Sequence, residues 1–132
     1  MAVDGCNCDI CRASRAEPDG PYARARELLF SFLNEEQQRE YETYGRFHVI
    51  SHDGKRRYKL RCDYAPTYVG PSKAEFKVGC RYGYEKQKVT VWPGSNYCVH
   101  MHNVPQDDYN LAIAMLLSSQ KGEEYFHSIA NW

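Results

Sequence analysis

Residues 55–64 read KRRYKLRCDY and form the most regular stretch of the chain. Apolar and basic side chains alternate there with a period of two, which predicts a β-strand with one buried and one wet face. The face expected to be buried carries Tyr58, Leu60, Cys62 and Tyr64. The opposite face carries Lys55, Arg57, Lys59 and Arg61. The stretch therefore predicts a sheet with a row of cations on its solvent side.

Other segments with strand character lie on both sides of this one. Residues 46–50 come before it and are joined to it through Asp53-Gly54, a pair typical of a tight hairpin turn. Turns that contain Pro or Gly separate the later segments, which are residues 76–84, 88–92 and 97–103. Because short turns connect neighbouring antiparallel strands, the sequence predicts an antiparallel sheet of four or five strands.

Helical periodicity precedes the strands. Residues 22–33 and 35–44 predict a helical hairpin, and Phe32 lies on the expected buried stripe of its first helix. Asn34 is a favourable N-cap for the second helix, which Gly45 is expected to end.

Two more helices are predicted after the strands. They cover residues 107–120 and 123–131, with Gly122 as the break between them and Met115 on the expected buried stripe. Runs of a single element type are typical of α+β proteins. We therefore expect an α+β fold in which a helical hairpin, the antiparallel sheet and two C-terminal helices follow one another. The two helices are expected to pack on one sheet face.

The composition indicates a single globular domain. The chain has 132 residues, of which 42% are hydrophobic and 26% are charged. We expect an N-terminal arm at residues 1–20 and the domain at residues 21–132. No stretch approaches the roughly 20 apolar residues of a membrane span, and no apolar run near the start indicates a signal peptide. The expected location is the cytoplasm, where disulfides are rare.

The arm contains the sharpest chemical motif, Cys6-x-Cys8-x-x-Cys11. Three thiols on one loop predict a structural zinc site, which needs four ligands in a tetrahedron. The candidates for the fourth ligand are Cys62, Cys80, Cys98, His100 and His102. An iron–sulfur cluster also takes four thiolates, but this spacing is not a common ferredoxin pattern. Unligated thiols and disulfides are the other interpretations.

Two of those candidates have a simpler interpretation. Cys62 and Cys80 lie on strand faces expected to be buried, where cysteine more often acts as a small hydrophobic side chain than as a ligand. His48 and His52 resemble a ligand pair but have no thiol beside them.

The last predicted strand presents Cys98, His100 and His102 on one face, so these three residues are candidate metal ligands as well. A zinc hydrolase would need an open coordination position and a carboxylate that moves protons. Asp107 and Asp108 follow closely, but acidic residues in the first turn of a helix are favoured by its dipole. No hydrolase or phosphate-binding motif occurs in the sequence. A small metallohydrolase therefore stays an alternative, and no catalytic residue is assigned.

The net charge is zero but unevenly distributed. Residues 55–88 hold ten basic against three acidic residues, whereas the parts before and after them are acidic. A basic strand face with aromatic neighbours is typical of surfaces that bind protein partners or single-stranded nucleic acid. A solvated outer strand face is the simpler interpretation. The predicted partner-binding residues are Lys55, Arg57, Lys59, Arg61, Lys77, Arg81, Tyr68 and Trp92.

A series of short motifs between residues 28 and 131 resembles a group of small uncharacterised proteins from tailed phages and bacteria. The motifs are Leu33-Asn-Glu-Glu-Gln37, Tyr41-Glu-x-x-Gly45-x-Phe47-x-Val49, Gly54, Tyr58, Tyr97-Cys98-Val-His100, Val104-Pro105-x-x-Asp108, Leu111-Ala112, Leu116-Leu117, Glu124-x-Phe126 and Ala130-Asn131. The chain departs from the group at residues 64–92, where the group is shorter, and in its cysteine arm. The resemblance implies an α+β fold and an origin in a phage or mobile element, with a bacterial host cytoplasm as the location. It implies no activity.

Taken together, these features predict a non-enzymatic macromolecule-binding protein with a zinc-stabilised arm. The predicted partner is a protein, contacted through the basic sheet face. A single-stranded nucleic-acid-binding protein and a structural subunit of a virion or complex are the alternatives, beside the metallohydrolase.

Overall fold

The computed structural model describes residues 6, 8–63, 65–70, 72–78, 87–97 and 104–129. Within them the chain forms five α-helices and five β-strands. The helices are α1 (Asp9–Ala16), α2 (Pro21–Phe32), α3 (Glu35–Tyr44), α4 (Gln106–Leu117) and α5 (Gln120–Ile129). The strands are β1 (Arg46–Ile50), β2 (Arg57–Arg61), β3 (Thr67–Tyr68), β4 (Ala74–Val78) and β5 (Gln87–Val91).

The strands form two small sheets. Strands β1, β2 and β3 form one sheet in that order, and β4 pairs with β5 in the other. Tyr58 lies opposite Tyr68 in the first sheet, and Phe76 lies opposite Val89 in the second; both pairs are antiparallel. The mixed α and β architecture with C-terminal helices is confirmed. A single sheet of four or five strands is not confirmed, since the described strands separate into sheets of three and two.

The chain divides into two compact units. Unit 1 takes residues 1–47, 60–64 and 101–112, and unit 2 takes residues 48–59, 65–100 and 113–132. In unit 1, helix α1 packs on α2, and the core is centred on Tyr41, whose ring meets that of Phe47 edge-on at 5.3 Å. The arm of the sequence is thus packed against the first hairpin helix over the residues of α1.

Unit 2 has an aromatic core. Helix α5 packs on β4, and the fully buried rings of Tyr58, Tyr97 and Phe126 contact one another or His127. The imidazole of His127 stacks on Phe76 with the ring centroids 3.9 Å apart. Tyr58 and Tyr97, two of the eleven tyrosines of the chain, therefore serve the interior here, where a tyrosine hydroxyl usually needs a hydrogen-bond partner.

The helical hairpin agrees closely with the sequence pattern. A capping box begins α3: the side chain of Asn34 accepts from the Gln37 amide, and the Gln37 side chain accepts from the Asn34 amide. Gly45 ends the helix in the left-handed conformation with φ 70°. Both signals are local, because each satisfies backbone groups that a helix end leaves unpaired.

Three helical expectations were wrong. Phe32 and Met115 are 46% and 55% exposed, and the stripe that α4 buries instead includes Ile113 and Leu117. Gly122 does not separate two helices but lies inside α5. A Cβ at this position would lie 2.2 Å from the carbonyl oxygen of Leu116, so the glycine permits the first turn of α5 to approach the end of α4.

Candidate metal centre

Four cysteine sulfurs come together in unit 1. They belong to Cys6, Cys8, Cys11 and Cys62, and all four sulfur atoms lie within 4.8 Å of one another. The Sγ of Cys62 is 3.2 Å from that of Cys8 and 3.6 Å from that of Cys6. No disulfide links these four residues. The N-terminal motif is therefore joined by a thiol that follows it by more than 50 residues in the chain.

Helix α1 positions the N-terminal thiols, although the sequence pattern did not predict this helix. Cys8 is its N-cap, and the Cys8 sulfur accepts a hydrogen bond from the amide of Cys11 at 3.4 Å. The first turn of α1 thereby places the sulfurs of Cys8 and Cys11 in the same cluster. Cys6 lies before the helix, where its amide donates to the carbonyl of Glu42 at 3.1 Å. A cysteine is an uncommon cap compared with Ser, Thr, Asp or Asn, which is why the local pattern gave no signal.

The end of β2 supplies the fourth thiol. Cys62 follows the last residue of the strand, and its amide donates to the carbonyl of Gly45 at 2.9 Å. A Cβ on Gly45 would lie 2.8 Å from the sulfurs of both Cys6 and Cys62. A glycine is thus favoured here for two reasons: its backbone is left-handed, and a side chain would collide with the two sulfurs. Cys62 was one of the candidates for the fourth ligand, but burial on the strand face alone favoured a hydrophobic role.

A half-buried arginine of α2 contacts the cluster. Arg26 donates through Nη2 to the sulfur of Cys11 at 3.3 Å and through Nε to Oδ2 of Asp107 at 2.8 Å. Its guanidinium also lies 4.8 Å from the ring centroid of Tyr41. The side chains of Arg26 and Asp107 are 13% and 1% exposed. Asp107 therefore holds the cationic guanidinium of Arg26 at the edge of the thiol cluster.

The hydrogen bonds continue from Asp107 to the other side of the cluster. The Tyr41 hydroxyl donates to Oδ1 of Asp107 at 2.5 Å and accepts from Nδ2 of Asn110 at 3.0 Å. Asn110 also donates to the carbonyl of Arg61 at 2.8 Å, directly before Cys62. A continuous path of hydrogen bonds therefore joins Cys11 to the backbone that carries Cys62. No sequence motif indicated this path, since its members are far apart in the chain.

The thiols differ in acidity. The pKa of Cys11 is lowered to about 5, mainly by its hydrogen bond with Cys62, and Arg26 acts in the same direction against the effect of burial. The same hydrogen bond and burial raise the pKa of Cys62, and burial raises that of Cys8. Cys11 is thus more ready than Cys8 or Cys62 to act as a thiolate, the form that binds metals.

The geometry suits a single tetrahedral ion. Four sulfurs at about 2.3 Å from a zinc ion would be about 3.8 Å from one another. The separations of 3.2 and 3.6 Å in the cluster and its upper limit of 4.8 Å bracket that value. The donor set consists only of soft thiolates, which select zinc, copper(I) or iron–sulfur chemistry over magnesium or calcium.

Of the other residues that the sequence suggested as ligands, His48 and His52 lie in the described part of the chain, and neither belongs to this cluster. Cys80, Cys98, His100 and His102 lie outside the described residues, so their predicted roles remain predictions. His52 belongs to unit 2, where its Nε2 is 3.7 Å from the carboxylate of Glu123. His48 is half-buried on β1.

The alternation of β2 is confirmed on both faces. Tyr58 and Leu60 are fully buried, whereas Arg57 is exposed and Lys59 is half-buried. Lys55, before the strand, is also exposed. The unit 2 part of the strand thus presents a basic face, as its sequence predicts.

The remaining predicted partner-binding residues differ in their surroundings. Arg61, in unit 1, lies 3.4 Å from the carboxylate of Asp63. Trp92 is 59% exposed, with the ammonium of Lys73 5.6 Å from its ring centroid. Tyr68 corrects the sequence expectation: only 1% of it is exposed, because its ring packs on Tyr58, so it offers no stacking surface. The side chains of Lys77 and Arg81 lie outside the described residues.

Unit 2 contains a second buried charge network, which the sequence did not indicate. Glu123 accepts hydrogen bonds from Nε and Nη2 of Arg56, both at 2.9 Å, and from the Tyr58 hydroxyl at 2.5 Å. Nε2 of His127 is 3.0 Å from the same hydroxyl. Because Tyr58 gives its only proton to Glu123, the imidazole must be the donor in this contact. Burial lowers the pKa of His127 to about 3, so its ring is neutral.

No protein-family model, curated protein or solved structure matches the chain. The function must therefore be inferred from the site itself. Among the helices of the described residues, none is both long and apolar enough to cross a membrane.

Proposed function

We propose that the protein is a non-enzymatic binding protein whose N-terminal arm is held by a structural zinc ion on Cys6, Cys8, Cys11 and Cys62. The meeting of four sulfurs from two distant segments supports the zinc centre. A zinc ion with four protein ligands has no open position for water or substrate, and sites of this kind stabilise folds. The ion supplies a cross-link between the arm and the end of β2, not a reaction.

Zinc fits the cluster better than an iron–sulfur centre does. In a four-iron cluster each thiolate binds a different iron atom, which would hold the sulfurs farther apart than the 3.2–3.6 Å separations from Cys62. Copper(I) is also bound by thiolates, but it favours fewer than four of them. The tetrahedral preference of zinc uses the whole set.

Metal content tests the proposal directly. Protein purified without a metal-affinity tag is expected to contain one zinc per chain by atomic emission, and Cys62→Ser is expected to lose it. Cys80→Ser and Cys98→Ser are matched variants of thiols that the proposal does not use. Zinc that survives in Cys62→Ser but is lost in Cys98→Ser would contradict the ligand assignment.

The basic strand face of unit 2 is the proposed binding surface. Arg57 is exposed beside the half-buried Lys59, and Lys55 is exposed at the preceding turn. Arginine in particular is enriched where proteins bind one another. We therefore assign the face to an acidic protein partner.

A charge-matched pair of variants tests this surface. Arg57→Glu is expected to lower the affinity for a captured acidic partner at least about tenfold, because it places two negative charges in contact. Lys121→Glu changes the net charge equally on the exposed surface of α5 and is expected to have little effect. Equal loss in both variants would contradict a specific site at Arg57.

Single-stranded nucleic acid is the second candidate, because Trp92 is exposed beside Lys73 as a stacking platform requires. Fluorescence anisotropy with labelled single-stranded DNA and RNA separates the two candidates. Binding that weakens steeply with salt and is lost in Trp92→Ala would favour the nucleic acid. No binding at low salt would remove this candidate.

A further inference from the structure

We infer that Arg26 is the positioning residue of the metal centre, and that its hydrogen bond to Cys11 sets both the metal affinity and the electronic character of that thiolate. The inference rests on the proposed zinc centre. It concerns a residue that binds no metal itself and that lies on α2, a helix that carries none of the ligands.

The first argument is the way Arg26 is held. One edge of its guanidinium is fixed by Asp107, through Nε at 2.8 Å and Nη2 at 3.4 Å, and Nη2 also reaches the sulfur of Cys11 at 3.3 Å. Arginine has a rigid planar fork of donors, so fixing it on a carboxylate also fixes the direction of the remaining N–H groups. Asp107 therefore aims Arg26 at the sulfur.

The second argument is charge. Four thiolates around a divalent zinc ion leave a net charge of about −2 on the centre. Arg26 is a cation with a side chain only 13% exposed, and it contacts a ligand sulfur directly. In such surroundings a charge-assisted hydrogen bond is stronger than a neutral one. Asp107 pairs with the charge of Arg26, but the guanidinium donates directly to the sulfur and so opposes the negative charge locally at Cys11.

The third argument is the path behind the pair. Asp107 is held in turn by Tyr41, and Asn110 joins Tyr41 to the carbonyl that precedes Cys62. The residues that orient Arg26 are therefore anchored on the same backbone that supplies the fourth ligand. Outer groups of this kind orient ligands, and their loss commonly lowers metal affinity 10- to 100-fold.

The decisive experiment measures zinc affinity by competition with a chromophoric chelator. Arg26→Gln is expected to bind zinc 10- to 100-fold more weakly than the wild type. Arg56→Gln in unit 2 is the matched control, because Arg56 makes the same kind of pair with a carboxylate and a tyrosine but belongs to the unit without the cluster. It is expected to leave the affinity unchanged.

A double-mutant comparison separates an effect through Cys11 from a general loss of structure. In a Cys11→Ser background, Arg26→Gln is expected to change the affinity no further. In a Cys6→Ser background, its 10- to 100-fold effect is expected to persist. Equal effects in both backgrounds would overturn the assignment to Cys11.

Cobalt(II) gives a second readout that a purely structural role would not move. A hydrogen bond stabilises the sulfur electrons, so its removal in Arg26→Gln is expected to shift the sulfur-to-cobalt charge-transfer band to longer wavelength. If Arg26→Gln does not fold, Arg26→Lys replaces it in the same measurements. The single ammonium nitrogen of lysine cannot donate in the fixed, forked geometry of a guanidinium. Arg26→Lys is expected to lower zinc affinity about tenfold.

The outcomes are distinguishable from failure of the zinc proposal. A wild type that binds no zinc would overturn both proposals. A wild type that binds one zinc ion, with unchanged affinity and unchanged cobalt spectrum in the folded Arg26 variant, would overturn only the role of Arg26.

Discussion

Unit 1 and unit 2 use the same arrangement of buried groups. In unit 1, Asp107 accepts from Arg26 and from the Tyr41 hydroxyl, and Asn110 donates to that hydroxyl. In unit 2 these four positions are taken by Glu123, Arg56, Tyr58 and His127.

The two networks differ in what else the arginine contacts. Arg26 reaches the sulfur of Cys11, whereas Arg56 reaches the carboxylate of Asp53 at 3.0 Å. A half-buried arginine with its acid and tyrosine is therefore a structural device in this protein and does not by itself indicate an active site. The contact of Arg26 with the sulfur of Cys11 is what links the network of unit 1 to the proposed metal centre.

Metal removal is expected to produce the largest difference in stability between the two units. Structural zinc contributes about 10–16 kcal/mol of apparent binding free energy in small zinc peptides, so its chelation is expected to destabilise unit 1 by more than about 5 kcal/mol. Hydrogen exchange is the measurement. The amide of Cys62, which donates to Gly45, should lose protection, while that of Val69, which donates to Arg57 in unit 2, should keep it. Equal loss at both amides would show that the comparison is wrong.

The reverse experiment breaks the network of unit 2. Glu123→Gln removes the charge that offsets Arg56, whose side chain is 19% exposed, and the expected destabilisation is about 3–5 kcal/mol. Urea unfolding of the zinc-loaded protein measures it. Zinc content should stay at one per chain, because Glu123 belongs to the other unit. Loss of zinc in this variant would contradict the separation of the two networks.

Acid should affect unit 2 through His127. Its pKa is about 3 in the folded protein, below the ordinary value of 6.5, so between these values the unfolded chain binds more protons. The contribution of His127 to the free energy of unfolding is therefore fully present above pH 6.5. It falls by about 1.4 kcal/mol per pH unit as the pH drops toward 3. Unfolding measured at pH 7 and 4.5 should show a loss of roughly 2–3 kcal/mol from this group. His127→Gln should remove that part of the loss, and an unchanged slope would contradict it.

The smallest expected effect distinguishes backbone strain from crowding at the sulfurs. Gly45→Ala adds a Cβ at φ 70° and within 2.8 Å of two sulfurs, whereas Gly54→Ala adds one at φ 75° with no atom within 4 Å. Strain alone should cost about 1 kcal/mol in each variant. We expect Gly45→Ala to cost about 1 kcal/mol more and to weaken zinc binding. Equal costs, with equal zinc affinity, would show that the sulfurs do not need this space.

Sequence patterns were sufficient where the controlling interactions are local. The capping box at Asn34, the stop at Gly45 and the alternation of β2 depend on neighbours within a few residues. Helix α1 escaped prediction because its cap is a cysteine, and the two-sheet arrangement depends on pairing between distant segments. The N-terminal thiols could be named from their spacing, but the choice of Cys62 depended on Gly45 and on where β2 ends. The roles of Arg26 and Asp107 depend on contacts across 81 residues, which no local pattern encodes.

The separation of Cys62 from the other thiols also has a consequence for synthesis. Cys6, Cys8 and Cys11 are synthesised before Cys62, which is the 51st residue added after Cys11. At 5–20 residues per second this interval is about 3–10 seconds. During that time a nascent chain has only three of the four proposed ligands, so the fourth coordination position is open to any other thiol nearby. The proposed metal centre is thus completed only after its three-cysteine motif has been synthesised, because its fourth ligand comes later in the chain.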